Sequence, residues 1–483
     1  MIVSVTVKTR RADVLVLGAG VAGLSAALAF ARGGRSVLVL ERDRPPEGGD
    51  ADEVFERWDR PGIAHFRQPH NFLGLARQVL ADEAPEVLEE ILRLGALENR
   101  QYELIPGPAR DGDESLVSIC ARRPVFESAL RRAVDAQPNV TVEAATRVGE
   151  PVAESRNGTV RVSGVRTGDG QEARADLVVD ALGRTSPVVS WLNDLAARPP
   201  LERRAECGLL YYSRHFRFRP GVEMPEVPTL LRGPRAELDY LGFSVFVEDN
   251  RTFALVLMIP PWERELRALK SEGAYMTAAL AMPALASWVH PDQSDAITPV
   301  LPMGSLQNLH RSLLVDGDPV AVGIQPIGDA LCHTNPTFAY GASLSIRHGF
   351  TLAQIASRTD DARAIALEFD DAVGADVAAR FDAVSAEDRD RLRLWQGEPI
   401  DVRDPGDSMA LFLRMTAYPA GTKDPDLLRA VARRVNLLDP PDALEQNEAL
   451  IARARQIAAD GGPAPTAGPS RPELLDAISA LSP

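Results

Sequence analysis

The chain has 483 residues, of which 45% are hydrophobic and 25% are charged, and its formal net charge at pH 7 is −15. Because this length exceeds what one simple core needs, we expect two or three substructures. The acidic balance disfavours nucleic acid and anionic membrane surfaces as partners, since both attract a basic protein surface.

Cysteine usage and hydropathy narrow the class of protein further. Three cysteines stand far apart, at Cys120, Cys207 and Cys332, and no CxxC pair occurs. This pattern predicts no disulfide framework, and neither it nor the scattered histidines predict a metal site. The N-terminus lacks the apolar run of a signal peptide, and no stretch approaches the roughly 20 apolar residues of a membrane span. We therefore expect a cytoplasmic protein with no integral membrane segment.

In chain order, the first predicted elements form a βαβ unit of about 30 residues. A buried strand over 12–17 leads into the glycine-rich stretch 18–23, which reads GAGVAG. An alanine-rich helix over 24–31 follows, and a second apolar strand over 36–40 ends at Glu41. A GxGxxG stretch between a strand and a helix is typical of a dinucleotide-binding site. The plainer alternative is a tight βα turn followed by a surface glutamate.

Each residue type in this unit has a physical reason. Gly18 allows the tight turn, Gly20 lets a diphosphate approach the backbone, and Gly23 lets helix and strand pack closely. The helix N-terminus presents free N–H groups to the phosphates. A carboxylate at the end of the second strand binds ribose hydroxyls and repels a 2′-phosphate, which favours FAD or NAD over NADP. The candidate cofactor-binding residues of this unit are Gly18, Gly20, Val21, Ala22, Gly23, Glu41 and Arg42.

The remaining patterns predict a mixed chain of helices and strands with a helical end. In order, they predict a polar loop (43–60), a helical stretch (72–97) broken near Pro85, a second helix (123–136), a β-meander (140–165), a buried strand (175–181), an antiparallel sheet (205–259), a short strand (320–324), a helix (341–356) and a mainly helical remainder.

One later segment resembles the FAD-dependent monooxygenase superfamily of aromatic hydroxylases and bacterial polyether-type epoxidases. It begins with Gly-Asp-Ala at 328–330 and continues LCHTNPTFAYGASLS. The resemblance implies that Asp329 accepts hydrogen bonds from FAD hydroxyls and that Pro336 flanks the flavin ring. It also implies that the N–H groups of Gly341 and Ala342, at a helix N-terminus, stabilise negative charge on the reduced flavin.

Two further segments are similar to the same superfamily. The stretch SICARR ends at Arg123, in the place of an arginine that contacts FAD just ahead of a helix. The stretch GIAHFRQPH resembles the GVPQxRHxH segment of the epoxidases: it keeps Arg67 and His70 and departs at His65 and Gln68. The resemblance thus adds Arg67 and Arg123 to the candidate FAD ligands. For Arg67 or His70 alone, a solvated loop residue is an equal alternative.

The resemblance extends over about residues 12–355 and implies an α/β fold. We expect a glutathione-reductase-type Rossmann FAD-binding domain, an antiparallel-sheet substrate domain and a helical C-terminal part. The expected boundaries are 1–83, 112–190 and 300–360 for a discontinuous FAD-binding domain, 84–111 and 191–299 for the substrate domain, and 361–483 for the helical region.

The sequence also separates several kinds of flavin chemistry. A second dinucleotide unit and a reactive cysteine pair are missing, which argues against disulfide reductases. Leu182 stands where hydroxylases that use NADPH directly carry an Asp, and the DALGRTS segment is instead similar to epoxidases, halogenases and isoprenoid-lipid reductases. This favours reduction by a separate flavin reductase. No lysine lies between Lys8 and Lys270, so the lysine of flavin halogenases has no counterpart.

These observations favour an FAD-dependent monooxygenase that transfers one oxygen atom of O2 to a hydrophobic small molecule in natural-product biosynthesis, by epoxidation or hydroxylation. An isoprenoid-type double-bond reductase and a non-redox FAD-bound cyclase stay as alternatives. The candidate catalytic residues are Tyr212 and Arg214, on a strand that resembles a YxSR segment of the epoxidases, and His333. For Tyr212 and Arg214 the alternative is ordinary sheet packing. A structural role is equally open for His333.

Overall fold

The computed structural model describes residues 9–46, 48–63, 65–156, 158–196, 198–227, 229–461 and 467–480. Within these ranges, the strands form an eight-stranded sheet, a six-stranded sheet and smaller two- and three-stranded pieces, with helices packed around them. The predicted fold class is confirmed: a Rossmann-type unit lies beside an antiparallel sheet, and the C-terminal part is helical.

The first part of the chain builds the predicted βαβ unit and then a meander. Proline at position 85 separates two helices, because it cannot continue the hydrogen bonding of the helix before it. The elements are β1 (Thr9–Leu17), α1 (Val21–Arg32), β2 (Val37–Leu40), α2 (Ala51–Arg57), α3 (Gly74–Glu83), α4 (Pro85–Arg93), β3 (Leu97–Arg100), β4 (Val117–Cys120), α5 (Arg123–Asp135), β5 (Val140–Glu143), β6 (Val148–Arg156), β7 (Thr159–Thr167), β8 (Glu172–Asp180) and α6 (Val188–Asn193).

The middle part of the chain forms most of the second sheet. Its strands carry many β-branched and aromatic residues, which suit a pleated surface. The elements are β9 (Leu201–Glu206), β10 (Leu210–Phe218), β11 (Arg235–Glu237), β12 (Gly242–Val247), β13 (Thr252–Ile259), α7 (Glu272–Ala281), α8 (Pro283–Val289), β14 (Ser294–Ala296), β15 (Leu301–Met303) and β16 (Gln307–Ser312).

The last part of the chain returns to the first sheet and then becomes helical. The elements are β17 (Leu314–Val315), β18 (Asp318–Pro319), β19 (Ala321–Val322), β20 (Ile324–Pro326), β21 (Cys332–His333), α9 (Tyr340–Ala356), α10 (Ala362–Trp395), α11 (Met409–Phe412), α12 (Tyr418–Gly421), α13 (Pro425–Val435), α14 (Glu448–Asp460) and α15 (Arg471–Ser479).

The order of strands in the large sheet brings two distant parts of the chain together. β1 lies between β2 and β8, and the three strands run parallel. β20 also pairs in parallel with the last residues of β8. Because parallel strands end at the same edge of a sheet, the loops after β1 and β20 meet there. The glycine turn at 18–23 therefore faces the Gly-Asp segment at 328–330.

The six-stranded sheet has two differently covered faces. Its order is β11-β12-β13-β10, with β14 and β15 also paired to β10. One face packs against α7, α8 and α15, with Phe216, Phe253 and Trp288 in the shared core. The other face carries Tyr211, Phe246 and Met258, which pack with Trp395 of α10.

The C-terminal helices support both sheets. α10 packs along α9 and β16, and α11 to α14 form a core of their own that includes Phe412 and Leu427. Of the helices that the structure describes, none combines the length and the apolar character needed to cross a membrane.

Candidate functional site

The turn between β1 and α1 has no room for side chains. Gly18 has a φ of +96°, and a Cβ there would lie 2.7 Å from the carbonyl oxygen of Ala181. A Cβ at Gly23 would lie 1.9 Å from the carbonyl oxygen of Gly18. The first N–H groups of a helix have no partner within the helix, so the start of α1 offers donors to an anion. Val21 and Ala22 belong to this first turn.

The Gly-Asp segment after β20 packs directly on this turn. Gly328 has a φ of +55°, and a Cβ there would lie 2.8 Å from the Cβ of Ala22. The next residue, Asp329, places a carboxylate oxygen 3.1 Å from where a Cβ of Gly341 would lie. The crevice is thus bounded by the N-terminus of α1, by Asp329 and by the N-terminus of α9.

A row of imidazole rings connects Arg123 to Asp329 across the crevice. Arg123 Nη1 lies 3.4 Å from His70 Nε2. The ring of His65 lies 5.8 Å from that of His70 and 6.3 Å from that of His333. His333 Nδ1 lies 3.1 Å from Asp329 Oδ2. In the sequence, Arg123, His70 and Asp329 belong to three separate motif segments and His65 departs from its motif, and the fold brings these residues together.

The electrostatics of this row differ from one end to the other. Burial, together with the nearby Arg123, lowers the pKa of His70 to about 3. His70 Nδ1 donates to the carbonyl of Gln68 at 2.8 Å, which leaves Nε2 as the acceptor towards Arg123. Burial opposes ionisation of Asp329, but the electrostatic attraction and hydrogen bond of His333, together with smaller effects of His65 and Arg123, outweigh it and lower the pKa of that carboxyl. The crevice therefore holds a carboxylate at one end and a guanidinium at the other.

Glu41 lies at the end of β2, as predicted, and its carboxylate is held in place by neighbours. Its Oε2 accepts from the N–H of Ala19 at 2.8 Å, and its Oε1 accepts from the N–H of Asp43 at 2.8 Å. The buried Arg60 donates to Glu41, to Glu127 at 2.5 Å and to the carbonyl of Ala19 at 3.1 Å. Arg60 lies in a loop and belongs to no motif, so the sequence does not indicate its role.

Arg123 belongs to the same buried network. Its Nε donates to Glu127 Oε1 at 2.7 Å, so Glu127 joins Arg123 to Arg60. A Cβ on Gly20 would lie 3.8 Å from Arg123 Nη2, which places the guanidinium beside the glycine turn. The position of Arg123 suits an FAD ligand, and its contact with FAD stays a prediction.

Two of the predicted arginines have other neighbours. Arg67 donates to the carbonyl oxygens of Glu56 and Trp58, at 3.0 and 3.2 Å, and so closes the end of α2. Arg42 lies against Gly62 with half of its side chain exposed, and its Nε is 3.7 Å from Asp43 Oδ1. The structure brings neither guanidinium to the glycine turn through a direct contact.

The predicted ring-side segment is anchored by the C-terminal helix. Pro336 begins a short helical turn, and Gly341 and Ala342 lie in the first turn of α9. Asp388 of α10 is fully buried and accepts from Asn335 Nδ2 at 2.6 Å and from Asn308 Nδ2 at 2.7 Å. The sequence prediction assigned the C-terminal part no role, because Asp388 belongs to no motif and lies on a helix that looks ordinary.

The structure corrects the prediction for Tyr212 and Arg214. These residues share a face of β10, as alternation requires, but that face packs on α7 and α8. Arg214 donates to Glu272 of α7 at 2.6 Å and to the carbonyl of Thr298 at 2.9 Å. Both faces of β10 are buried, so the sequence pattern does not show which face points to the half of the molecule that contains the eight-stranded sheet and the glycine turn. We call this half the nucleotide-binding half.

The face of β10 that points to the nucleotide-binding half carries Tyr211, Ser213 and His215. The Ser213 hydroxyl bonds to Gln68, and the ring of His215 lies 5.2 Å from that of Phe55 on α2. This face, with the apolar side chains of β12 and β13, is the candidate substrate face.

The residues at the crevice fit FAD. The glycine turn leaves no room for a Cβ at Gly18 or Gly23, as close approach of a diphosphate requires, and binding of sugar hydroxyls by Asp329 and Glu41 stays a prediction. His333 Nε2 is buried and has no hydrogen-bond partner among the described residues, so a polar group of a ligand is expected beside it.

Comparisons with known proteins agree with this geometry. Residues 13–186 match the family described as FAD dependent oxidoreductase. Protein Rv3254 of Mycobacterium tuberculosis is 29% identical over 358 residues, which cover 68% of this chain and 70% of that protein. The cofactor of this chain is therefore FAD.

Solved structures show the same fold at low sequence identity. PqsL of Pseudomonas aeruginosa, described as a probable FAD-dependent monooxygenase, has a TM-score of 0.54 and 19% identity, covering 80% of this chain and 98% of that one. The flavin-dependent brominase Bmp2 has a TM-score of 0.57 and 16% identity, covering 93% of this chain and 99% of that one.

Proposed function

We propose that this chain, an FAD-binding flavoprotein with the fold of the FAD-dependent monooxygenases, transfers one oxygen atom of O2 to a hydrophobic small molecule by epoxidation or hydroxylation. One observation carries the proposal: the crevice between the glycine turn and Asp329 lies beside a buried sheet face that is mostly apolar. Such a face suits a substrate that must be kept from water next to the flavin.

The chain divides the binding of FAD among several elements. The start of α1 and Arg123 would hold the diphosphate, and Glu41 and Asp329 would hold sugar hydroxyls. Bound FAD, once reduced, supplies the electrons with which O2 is activated for transfer of one oxygen atom. The first N–H groups of α9, at Gly341 and Ala342, would stabilise negative charge on the ring.

The protein's own residues orient the substrate and exclude water. Asp388 fixes Asn335, and Asn335 accepts from the N–H of Thr337 at 3.1 Å, so the segment that starts at Pro336 is held in one position. Phe246, Val256 and Met258 present an apolar surface on the candidate substrate face. No protein nucleophile is required, because the flavin supplies the reactive chemistry.

The electron donor is proposed to be a separate flavin reductase. Leu182 replaces the Asp expected for direct use of NADPH, and its side chain packs in an apolar core against β8 and α6. Asp180 in the same segment is fully buried and bonds to Ser186 Oγ at 2.5 Å and to the N–H of Leu182 at 3.1 Å. Both residues thus serve the local structure.

We also propose that the reaction belongs to natural-product biosynthesis.

The test is a turnover experiment with a panel of apolar alkenes and phenols. Purified FAD-loaded protein is supplied with a flavin reductase, NADH and ¹⁸O-labelled O2, and products are weighed by mass spectrometry. We expect one labelled oxygen atom in the product. Product that gains two hydrogens and no label would instead support a double-bond reductase, and product formed without oxygen or reductant would support a cyclase. Protein that does not bind FAD would overturn all three.

A further inference from the structure

We propose that His215 and Glu248 bind the polar, hydrogen-bond-donating end of an otherwise apolar substrate. The inference deepens the proposed function, because it concerns the substrate of the same site. It assigns the substrate class as a hydrocarbon skeleton that carries a hydroxyl group. Neither residue belongs to a motif that carried the family resemblance.

The two side chains meet on the face of the sheet that points to the nucleotide-binding half. His215 lies on β10 opposite Ala254 of β13, and Glu248 directly follows β12. The small side chain of Ala254 lets the two polar groups approach each other across β13. Phe55 of α2 covers the imidazole, with ring centroids 5.2 Å apart.

Both groups are buried with too few partners. Glu248 is 0% exposed, and neither of its carboxylate oxygens receives a hydrogen bond from the described residues. His215 is 1% exposed, and its Nδ1 also lacks a partner there. The 3.2 Å contact between His215 Nε2 and Glu248 Oε1 is close enough for attraction but is not aligned as a hydrogen bond. Buried carboxylates are normally satisfied, so a ligand donor is expected here.

Neighbouring cations do not supply these donors, since they are directed elsewhere. Arg122 donates to Asp249 at 2.5 Å and to Asp52 at 2.8 Å. Arg217 also donates to Asp52. Two guanidinium groups therefore donate to two carboxylates. Among the described residues, His215 is the ion-pair partner of Glu248, and the charge of Arg122 acts on Glu248 only from a distance. The pair can accept a proton donor without displacing an existing bond.

The same sheet face continues from the pair as an apolar surface. Phe246 precedes Glu248 by two residues and so points to the same side, and Val256 and Met258 follow Ala254 on that side of β13. A ligand inserted between this face and Trp395, which packs against it, would meet acceptors at one end and hydrocarbon along the rest. This arrangement selects an amphipathic molecule with its hydroxyl at the His215 end.

The test compares two probes of similar shape, 2-naphthol and 2-methylnaphthalene, binding to the oxidised FAD-loaded protein. No reductant is present, so the result does not depend on whether the enzyme transfers oxygen. We expect 2-naphthol to bind at least about tenfold more tightly than 2-methylnaphthalene, because a site built for a hydroxyl rejects its apolar analogue. In Glu248→Met the preference should fall to about one, and Glu248→Gln should retain an intermediate preference.

A surface pair offers a matched control. His290 Nδ1 lies 3.5 Å from Asp292 Oδ2, and both side chains are exposed, so His290→Asn should leave the preference unchanged. A preference that survives in Glu248→Met, or 2-naphthol that does not bind at all, would overturn the proposal.

Thermal stability gives a second readout that separates binding from structural pairing. If Glu248 awaits a ligand, Glu248→Met removes an unsatisfied buried charge, and the Tm of the FAD-loaded protein stays equal or rises. If His215 and Glu248 form a structural ion pair, the same change strands a buried imidazolium and the Tm falls. A fall in Tm would therefore contradict the proposal even where the probe preference changed.

Discussion

At the scale of single residues, the crevice depends on the absence of side chains at three positions, two in the glycine turn and one after β20. Gly18 and Gly23 face backbone carbonyl oxygens at distances that no Cβ tolerates, and Gly328 faces the Cβ of Ala22 and the side chain of Ser345. At these three positions, β1, α1 and the segment after β20 pack against one another with no space between their backbones for a side chain. A methyl group at any of the three would push apart the elements that form the crevice.

Gly23→Ala should therefore weaken FAD binding as well as the packing of α1 on β1. The added Cβ would lie 1.9 Å from the carbonyl oxygen of Gly18, so α1 must move away from the turn. We expect a loss of roughly 2–3 kcal/mol in FAD binding, about a hundredfold in Kd. The measurement is fluorescence titration of the apoprotein with FAD.

The matched control is Gly317→Ala. Gly317 has a φ of +77° in a tight turn, and a Cβ there would meet nothing within 4 Å. Backbone strain should cost about 1 kcal/mol of stability without changing the Kd for FAD. Equal FAD affinities in the two variants would show that the turn at 18–23 does not contact the nucleotide.

Single residues could be predicted from the sequence where only one or two residue types can perform the function. The glycines at 18, 20 and 23 and the acid Asp329 could be found because few residues meet those requirements. Arg60 could not be found, since its role comes from Glu41 and Glu127, which lie far from it along the chain. The contacts of Asp388 arise in the same way, from packing.

At the scale of elements, prediction succeeded for those with strong periodicity or punctuation. β1, α1 and the break at Pro85 follow from local sequence. The orientation of β10 did not, because Tyr212 and Tyr211 are both apolar enough to be buried, and the neighbouring elements decide which one faces the nucleotide-binding half. The predicted domain boundaries stay a prediction, because they also depend on how distant elements pack.

α10 carries a testable prediction about the ring-side segment. Asp388 accepts from Asn308, from Asn335 and, at 2.8 Å, from Arg391 Nη2, and burial raises its pKa. Asp388→Asn places an amide donor against these donors and removes the carboxylate from the buried Arg391 guanidinium, which keeps only the carbonyl of Cys207 at 2.6 Å among the partners described. We expect a loss of about 3–5 kcal/mol of stability. A changed flavin absorption spectrum in any folded fraction would accompany it.

A neighbour on the same helix provides the comparison. Asp390 accepts from Ser408 Oγ at 2.7 Å and from the partly exposed Arg393 at 3.1 Å. Asp390→Asn should cost less than about 1 kcal/mol, because its partner Arg393 is in contact with water and such pairs contribute little. Urea unfolding measures the loss of stability in each variant. Similar losses would mean that Asp388 contributes no more to stability than an ordinary surface-facing residue of α10.

At the scale of the whole molecule, two neutral histidines, the fully buried His348 and the half-buried His70, limit stability in acid. Burial lowers the pKa of His70 and of His348 to about 3. His348 Nδ1 accepts the N–H of Gly328 at 3.2 Å, a bond that protonation would break. The unfolded chain takes up protons below its ordinary histidine pKa of about 6.5, and the folded protein does not until about pH 3. Stability is thus complete above pH 6.5 and declines as the pH falls towards 3.

Between pH 7.5 and pH 5, these two histidines should lower the free energy of unfolding by about 4 kcal/mol. His348→Gln keeps an acceptor for Gly328 but cannot be protonated, so it should remove about half of that decline. Urea unfolding at several pH values measures it, with His290→Gln at an exposed site as the reference. An unchanged pH dependence in His348→Gln would mean that the imidazole takes up its proton at the same pH in the folded and the unfolded protein.

The hydrogen bonds from Asn308 and Asn335 to Asp388 also have a consequence for how this molecule can be shortened. A chain cut at residue 361 would keep every segment by which a flavoprotein is recognised, from the first glycine to the N-terminus of α9. It would nevertheless leave both asparagine amides without their common acceptor, beside the segment that begins at Pro336 and is predicted to flank the flavin ring. Such a fragment should retain less FAD than the full chain, as the visible absorbance of the flavin would show, and a fragment that keeps α10 should retain more.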